Sequence, residues 1–290
     1  VSLINPLHDD RDREAQFEGG SKALSALLLW GLAALLTTGM VGFAIGGVFD
    51  QFRIVSLNSV FSTWDTNIPV AVRGVALPLG IIASIFTVGQ YGKWNHRYTG
   101  DNRSYAVAGP LTLILVGLAG GTWIATTLWV EPDAVGTAVN PVFFRDESWG
   151  WGAWCLYAAQ WWLPGMFATL AVVSYMARIV ARRRLGVRNR LVAELLCTGS
   201  IVEAEVVDAP LPVPDSSRMA ASLVVQFKDA ENNNRWVRCF VLLAPRSLPA
   251  VGDRRPLVFD QRQPGNSERI FLSPGGGTAP DDFEPVTTTS

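Results

Sequence analysis

The strongest constraint on this chain is a junction: an apolar run ends in Arg178, Arg182, Arg183, Arg184, Arg188 and Arg190. Cations packed at the end of an apolar stretch are costly to carry through a bilayer, so they fix the orientation of the last span and act as a membrane anchor. Everything before the junction reads as membrane-embedded. Everything after it reads as a small water-soluble unit built of strands.

Composition agrees with such a mixture. A mean hydropathy of +0.24, with 49% hydrophobic and 17% charged residues, is too apolar for an average soluble chain and too polar for one that is nearly all span. The chain of 290 residues leaves room for several spans, each needing roughly 20 residues, and one soluble domain. The expected fold class is therefore an α+β membrane protein, a four-helix transmembrane bundle followed by a small β-barrel-like or curled-sheet soluble domain.

Residues 1–22 form a polar tail with charges of near-alternating sign. Spans are predicted over about 23–48, 70–90, 105–130 and 153–180, within a transmembrane domain over 23–181. The first apolar run lacks a small-residue cleavage site, which argues for a retained span over a signal peptide. Trp64 and Phe61 in the first long loop, and Trp149, Trp151 and Trp154 ahead of the last span, suit a membrane interface. Arg73, near the start of the second span, can reach the headgroups with its long stem; a place on an ion path is the sharper alternative.

Basic residues near the span ends are unevenly shared. One side carries Arg11, Arg13, Lys22, Lys93, Arg97, Arg103 and the six arginines of the junction; the other carries Arg53, Arg73 and Arg145. By the positive-inside rule both termini are cytoplasmic, and the setting is a bacterial cytoplasmic (inner) membrane crossed several times.

After position 195 the period changes to two. Val202, Ala204 and Val206, then Leu223, Val225 and Phe227, then Val237, Cys239 and Val241 alternate with polar or outward residues, which predicts strands with one buried face. Shorter strands are expected at Leu257–Phe259 and Arg269–Leu272, giving a five-stranded barrel or curled sheet over 195–273. Pro210, Pro212 and Pro214 mark a loop, and Asp229–Asn234 a hairpin connection. The tail over 274–290, rich in glycine, proline and threonine, is expected to be disordered.

The soluble segment resembles a widespread family of uncharacterised bacterial membrane proteins, grouped as a domain of unknown function. The resemblance rests on Gly199-Ser200-Ile201-Val202-Glu203-Ala204-Glu205-Val206-Val207, on Val224-Val225-Gln226-Phe227-Lys228-Asp229, and on Val251-Gly252-Asp253 followed by Leu257-Val258-Phe259-Asp260 and Pro264. It is confined to the segment after the arginine junction. It implies a small β domain tethered to membrane helices and carries no active site. Gln261 stands where that family has Pro, and Asn234 where a hairpin Gly is usual.

Gly42 and Gly46 in the first span, and Gly117 and Gly121 in the third, have the GxxxG spacing that lets helix backbones approach closely, within this bundle or against another membrane subunit. Gln160 is the polar residue inside the last span and reads as a helix–helix hydrogen bond. Glu131, Asp133, Asp146 and Glu147 fit no calcium-loop spacing. Cys155, Cys197 and Cys239 have no CxxC or Cys/His pattern and read as free thiols. His8 and His96 lie in polar flanks. No P-loop, GxGxxG or GxSxG occurs, so no catalytic, metal or cofactor-binding residue is assigned and no cofactor is expected.

In the β segment, if Val237, Cys239 and Val241 fill the core, then Trp236, Arg238 and Phe240 point outward. Two aromatics flanking an arginine is the composition of a protein-binding surface. The partners expected are the lipid bilayer and a membrane or cytosolic protein, not nucleic acid. The sequence thus points to a non-enzymatic accessory or scaffold subunit whose cytosolic β domain binds a protein. The alternative is a transporter or channel for a small solute or lipid, with a regulatory β domain.

Overall fold

Residues 17–59, 62, 65–100, 105–211, 219–243 and 247–288 are described by the computed structural model. The N-terminal tail before Phe17, Phe61, Trp64, Arg103, and Pro212 and Pro214 of the proline-rich link lie outside them. The chain divides into two compact units, Val1–Ile179 and Val180–Ser290.

The first unit is helical: α1 (Ser21–Leu57), α2 (Val70–Thr99), α3 (Pro110–Thr126), a ribbon of β1 (Thr137–Ala138) and β2 (Glu147–Ser148), the short α4 (Trp151–Tyr157), and the start of α5 (Ala159–Thr198). Three of these, α1, α2 and α5, are long and apolar enough to cross a membrane, which makes this a multi-pass membrane protein. The helix in the place of the expected third span, α3, is apolar and shorter, its 17 residues reaching about 26 Å, at the short end of what crosses a hydrocarbon core of about 30 Å.

Side chains of the neighbouring helices account for that shortness. At its start, the Asn95 carboxamide oxygen accepts from the Ala106 amide (2.9 Å) and the Tyr91 hydroxyl donates to the Ala108 carbonyl (2.7 Å), holding the chain extended until Pro110 opens the helix. Beyond its end, the Val130 amide donates to Asp50 (3.4 Å) and the Val130 carbonyl accepts from Arg53. Residues 105–109 and 127–130 are apolar enough for a span, yet Ala106, Ala108 and Val130 bond to side chains of α1 and α2 instead of prolonging the helix.

Helix α1 lies between α2 and α3, and small residues set both contacts. A Cβ on Gly121 would stand 1.9 Å from the Gly39 carbonyl oxygen, and one on Gly42 2.5 Å from that of Leu118, so the two GxxxG faces meet backbone to backbone. On the other side of α1, Gly31 receives the Tyr91 ring and Gly47 the stem of Arg73, while Gly80 of α2 takes Val41. Helix α2 ends on Gly100 in the left-handed region (φ +67°), with His96 and Arg97 in its last turn to offset the helix dipole.

The second unit is a closed barrel of β3 (Ser200–Asp208), β4 (Met219–Lys228), β5 (Asn234–Leu243), β6 (Arg254–Phe259), β7 (Ile270–Leu272) and β8 (Glu284–Thr288), in the order β3-β4-β5-β8-β7-β6, every pairing antiparallel. Its interior holds Ala204, Val206, Leu223, Val225, Phe227, Val237, Cys239 and Val241, the inward sets that alternation marks. Strands β6 and β7 are apolar on both faces. Leu257, Phe259, Ile270 and Leu272 point in, while Val258 and Phe271 point out, against Val192 and Leu195 at the end of α5.

Two expectations are corrected here. The barrel has six strands among the described residues, not five, and the sixth comes from the tail expected to be disordered. Two apolar residues suffice to dock that tail: Val286 enters the barrel core, and Phe283, 1% exposed, joins Val192, Leu195, Val258 and Phe271. In the hairpin between β4 and β5, Asn232 (φ +65°) takes the left-handed position, which its short polar side chain tolerates, while Asn234 already pairs with Lys228. The Val251-Gly252-Asp253 turn places Gly252 at φ +93°; its amide donates to the Val206 carbonyl (2.8 Å), and the Asp253 carboxylate accepts from the Ala250 amide (3.1 Å).

Candidate functional site

Strand alternation puts the predicted interaction residues on one outward stripe of β5. Trp236, Arg238, Phe240 and Leu242 face away from the barrel core, with Trp236 48%, Phe240 64% and Leu242 54% exposed. Across the ladder Gln226 stands opposite Trp236, Val224 opposite Arg238, Ser222 opposite Phe240 and Ala220 opposite Leu242; on the other edge Thr287 lies opposite Arg238 and bonds its carbonyl (3.2 Å). The neighbours on β4 are small or half-buried, so the large side chains stand proud. Exposed aromatic and aliphatic surface around one cation is the make-up of a protein-binding patch. Leu242 extends the stripe and was missed, although it continues the alternation of Trp236 and Phe240.

Burial pushes the Cys239 thiol behind this stripe up to about 12, with the charge of Glu284 adding to the effect. It is a core residue, not a nucleophile. Cys197 is exposed at the end of α5, and Cys155 is half-buried in α4.

The arginine junction is divided between the units. Arg178 donates to the Tyr105 carbonyl and sits 5.4 Å from the centre of its ring. Arg188 pairs with Glu284 at 2.9 Å, a contact between α5 and β8. Arg182, Arg183, Arg184 and Arg190 are exposed.

A second concentration of chemistry lies at the end of the bundle reached by the C-terminus of α1. Asp50, Arg53 and Arg73 are all buried there. Arg53 donates twice to Asp50 Oδ1, from Nε (3.0 Å) and Nη2 (2.8 Å), and its guanidinium lies 4.7 Å from the Trp129 ring centre. Trp129 donates to the Gly46 carbonyl (3.0 Å), and Trp149 to that of Leu57 (2.9 Å). Arg73 donates from Nη1 to the Gly47 carbonyl (3.2 Å) and to Gln51. A first span ending at 48 leaves Asp50 and Arg53 beyond it, whereas α1 runs on to Leu57 and holds both. Their i, i+3 spacing, with no Pro or Gly between Gly47 and Asn58, was the signal that the helix continues.

Of the acidic loop residues, Asp133 accepts from the Ser62 hydroxyl and Asp146 from the Asn140 amide (3.1 Å). Among the described residues no group of three or more His, Cys, Asp or Glu is placed to hold a metal ion. No family model, curated protein or solved structure matches the chain.

Proposed function

We propose that the chain is a non-enzymatic accessory or scaffold protein of a bacterial inner membrane, with both termini cytoplasmic and a barrel that binds a protein partner on that side. The reading also keeps the chain with the uncharacterised family that its soluble segment resembles. The observation that carries it is the outward stripe of Trp236, Arg238, Phe240 and Leu242, large apolar surface held on a rigid strand whose inward residues are fully packed. Supporting it over a conduit, the charged side chains of the bundle gather at its two ends, while its midsection is joined by hydroxyl contacts such as Thr37–Thr87 (3.0 Å).

The test is a mild-detergent pull-down of the full chain and of the W236S/F240S variant, read by mass spectrometry and by thermal unfolding. Both side chains are exposed, so the variant should keep its unfolding midpoint within a few degrees while losing a stoichiometric partner. Retention of every co-purifying protein by the variant would remove the stripe from the argument.

A further inference from the structure

We propose that Arg73 and the apolar hollow beside it bind an anionic diacyl phospholipid, headgroup at Arg73 and acyl chains along the seam between α1 and α2. Two buried cations here share one carboxylate. Asp50 lies within electrostatic reach of Arg73 as well, but its oxygens are taken by Arg53 and the Val130 amide. The hydrogen bonds of Arg73 go to neutral acceptors, the Gly47 carbonyl and Gln51, and its Nε is buried with no partner although the residue is only 7% exposed. A buried cation with neutral partners is destabilising, and an anion at the site offsets that cost.

The space for one is adjacent. Arg73 lines a hollow of about 560 Å³ whose other walls include Val48, Phe52, Val55, Val70 and Leu77. Val70 is the first residue of α2, and the cap, Pro69, offers no side-chain hydrogen bond, so the amides of the first turn add positive potential at the same end.

A second apolar hollow lies further along the same two helices, which is why the anion is assigned tails. One turn along α2 from Leu77, and one turn back along α1 from Val48, begins a second hollow of about 580 Å³ lined by Ile81 and Ile85, by Val41 and Ile45, and by Ile114 and Leu118 of α3. Along α1 the positions 41, 45, 48, 52 and 55 form one stripe, as do 70, 77, 81 and 88 along α2, so the two hollows are lined by the same face of each helix. From Arg73 to Val88 the two hollows together span about 22 Å, from the charged end of the bundle into its apolar midsection. A cation at one end and aliphatic walls along the rest match an anionic lipid and not a small soluble anion.

The full-length protein in mild detergent is offered equal amounts of phosphatidylglycerol and phosphatidylcholine with identical acyl chains, and retained lipid is counted by native mass spectrometry. Wild type should retain phosphatidylglycerol preferentially. R73Q should reduce that preference roughly fivefold, the effect of one cation near an anionic headgroup. L77W, which fills the hollow and leaves Arg73 in place, should lower retention of both lipids, and it carries the test should R73Q fail to fold. Equal retention of the two lipids by wild type overturns the proposal. So does an unchanged preference in folded R73Q, which would assign the anionic lipid to the exposed arginines of α5. Displacement by soluble glycerol phosphate would mean that the head alone binds, and would overturn the lipid assignment.

Discussion

Asp229 shows how one side chain fixes a turn that the surrounding sequence leaves open. Its Oδ1 accepts from the amides of Glu231 and Asn233 (both 2.9 Å) and its Oδ2 from Arg235 Nε (2.8 Å), so a buried carboxylate wires the connection between β4 and β5 together. Burial alone would raise its pKa; the two amides and the guanidinium outweigh that and hold the carboxyl below its ordinary value. Asp260 is held low as well, first by the Arg262 amide and then by Arg269. For both groups the unfolded chain, with carboxyls near pKa ~3.9, takes up protons before the folded one does. Their contribution is therefore complete above that value and is lost as pH falls through the folded pKa. The unfolding midpoint of the barrel should be flat around neutrality and drop below about pH 4. D229N should lower the midpoint more at pH 7 than at pH 3; an equal loss at both would show that the charge of Asp229 is not what stabilises the turn.

At the scale of elements, backbone contact between α1 and α3 makes a sharp contrast possible within one helix. A Cβ on Gly121 meets the Gly39 carbonyl at 1.9 Å and the Phe43 amide at 2.7 Å, neither of which can rotate away, whereas one on Gly120 meets nothing within 4 Å. G121A should destabilise the bundle by about 1–3 kcal/mol through overpacking, while G120A should be neutral or slightly stabilising, since Ala is the better helix former. Thermal unfolding in one detergent compares them; equal midpoints would mean that the contact yields without cost. The GxxxG spacing, the apolar runs and the period-two strands were legible because each is a repeat along the chain. What was not legible depended on single long-range bonds. Nothing in the local pattern says that Asn95 and Tyr91 will draw residues 106–108 out of α3, or that Asp50 will take the Val130 amide from its other end. The candidate site divides in the same way: the outward face of β5 follows from alternation, whereas the meeting of Asp50, Arg53 and Arg73 requires knowing that α1 continues through Leu57.

For the whole molecule, the question is which stretch of chain completes the soluble unit. Strand β8 joins β5 to β7 and so closes the barrel: Cys239 pairs with Val286 on one side of it and Leu272 with Glu284 on the other. Without β8 two strands would present open edges, and the Cys239 thiol would lose its contact with the Pro285 carbonyl (3.6 Å). The outer face of β6 and β7 is likewise incomplete until Val192 and Leu195 of α5, with Phe283, cover Val258 and Phe271. Arg188–Glu284 and Asn189–Asp281 tie that helix end to the tail. A fragment over 195–273, the limits drawn from alternation alone, omits β8, Phe283 and Val192 together. Expressed as such, it should give a broad, non-cooperative thermal profile and bind a hydrophobic dye. A fragment over 180–290 contains every one of these contacts, and it should unfold in a single sharp transition with a sheet-rich circular dichroism spectrum. Strand closure and the helix cover are separable by a third fragment, 195–290, which restores β8 without Val192. If 195–290 melts as sharply as 180–290, closure alone completes the core and the end of α5 is a passive tether; if it melts early, the last turns of the membrane helix are part of the soluble fold.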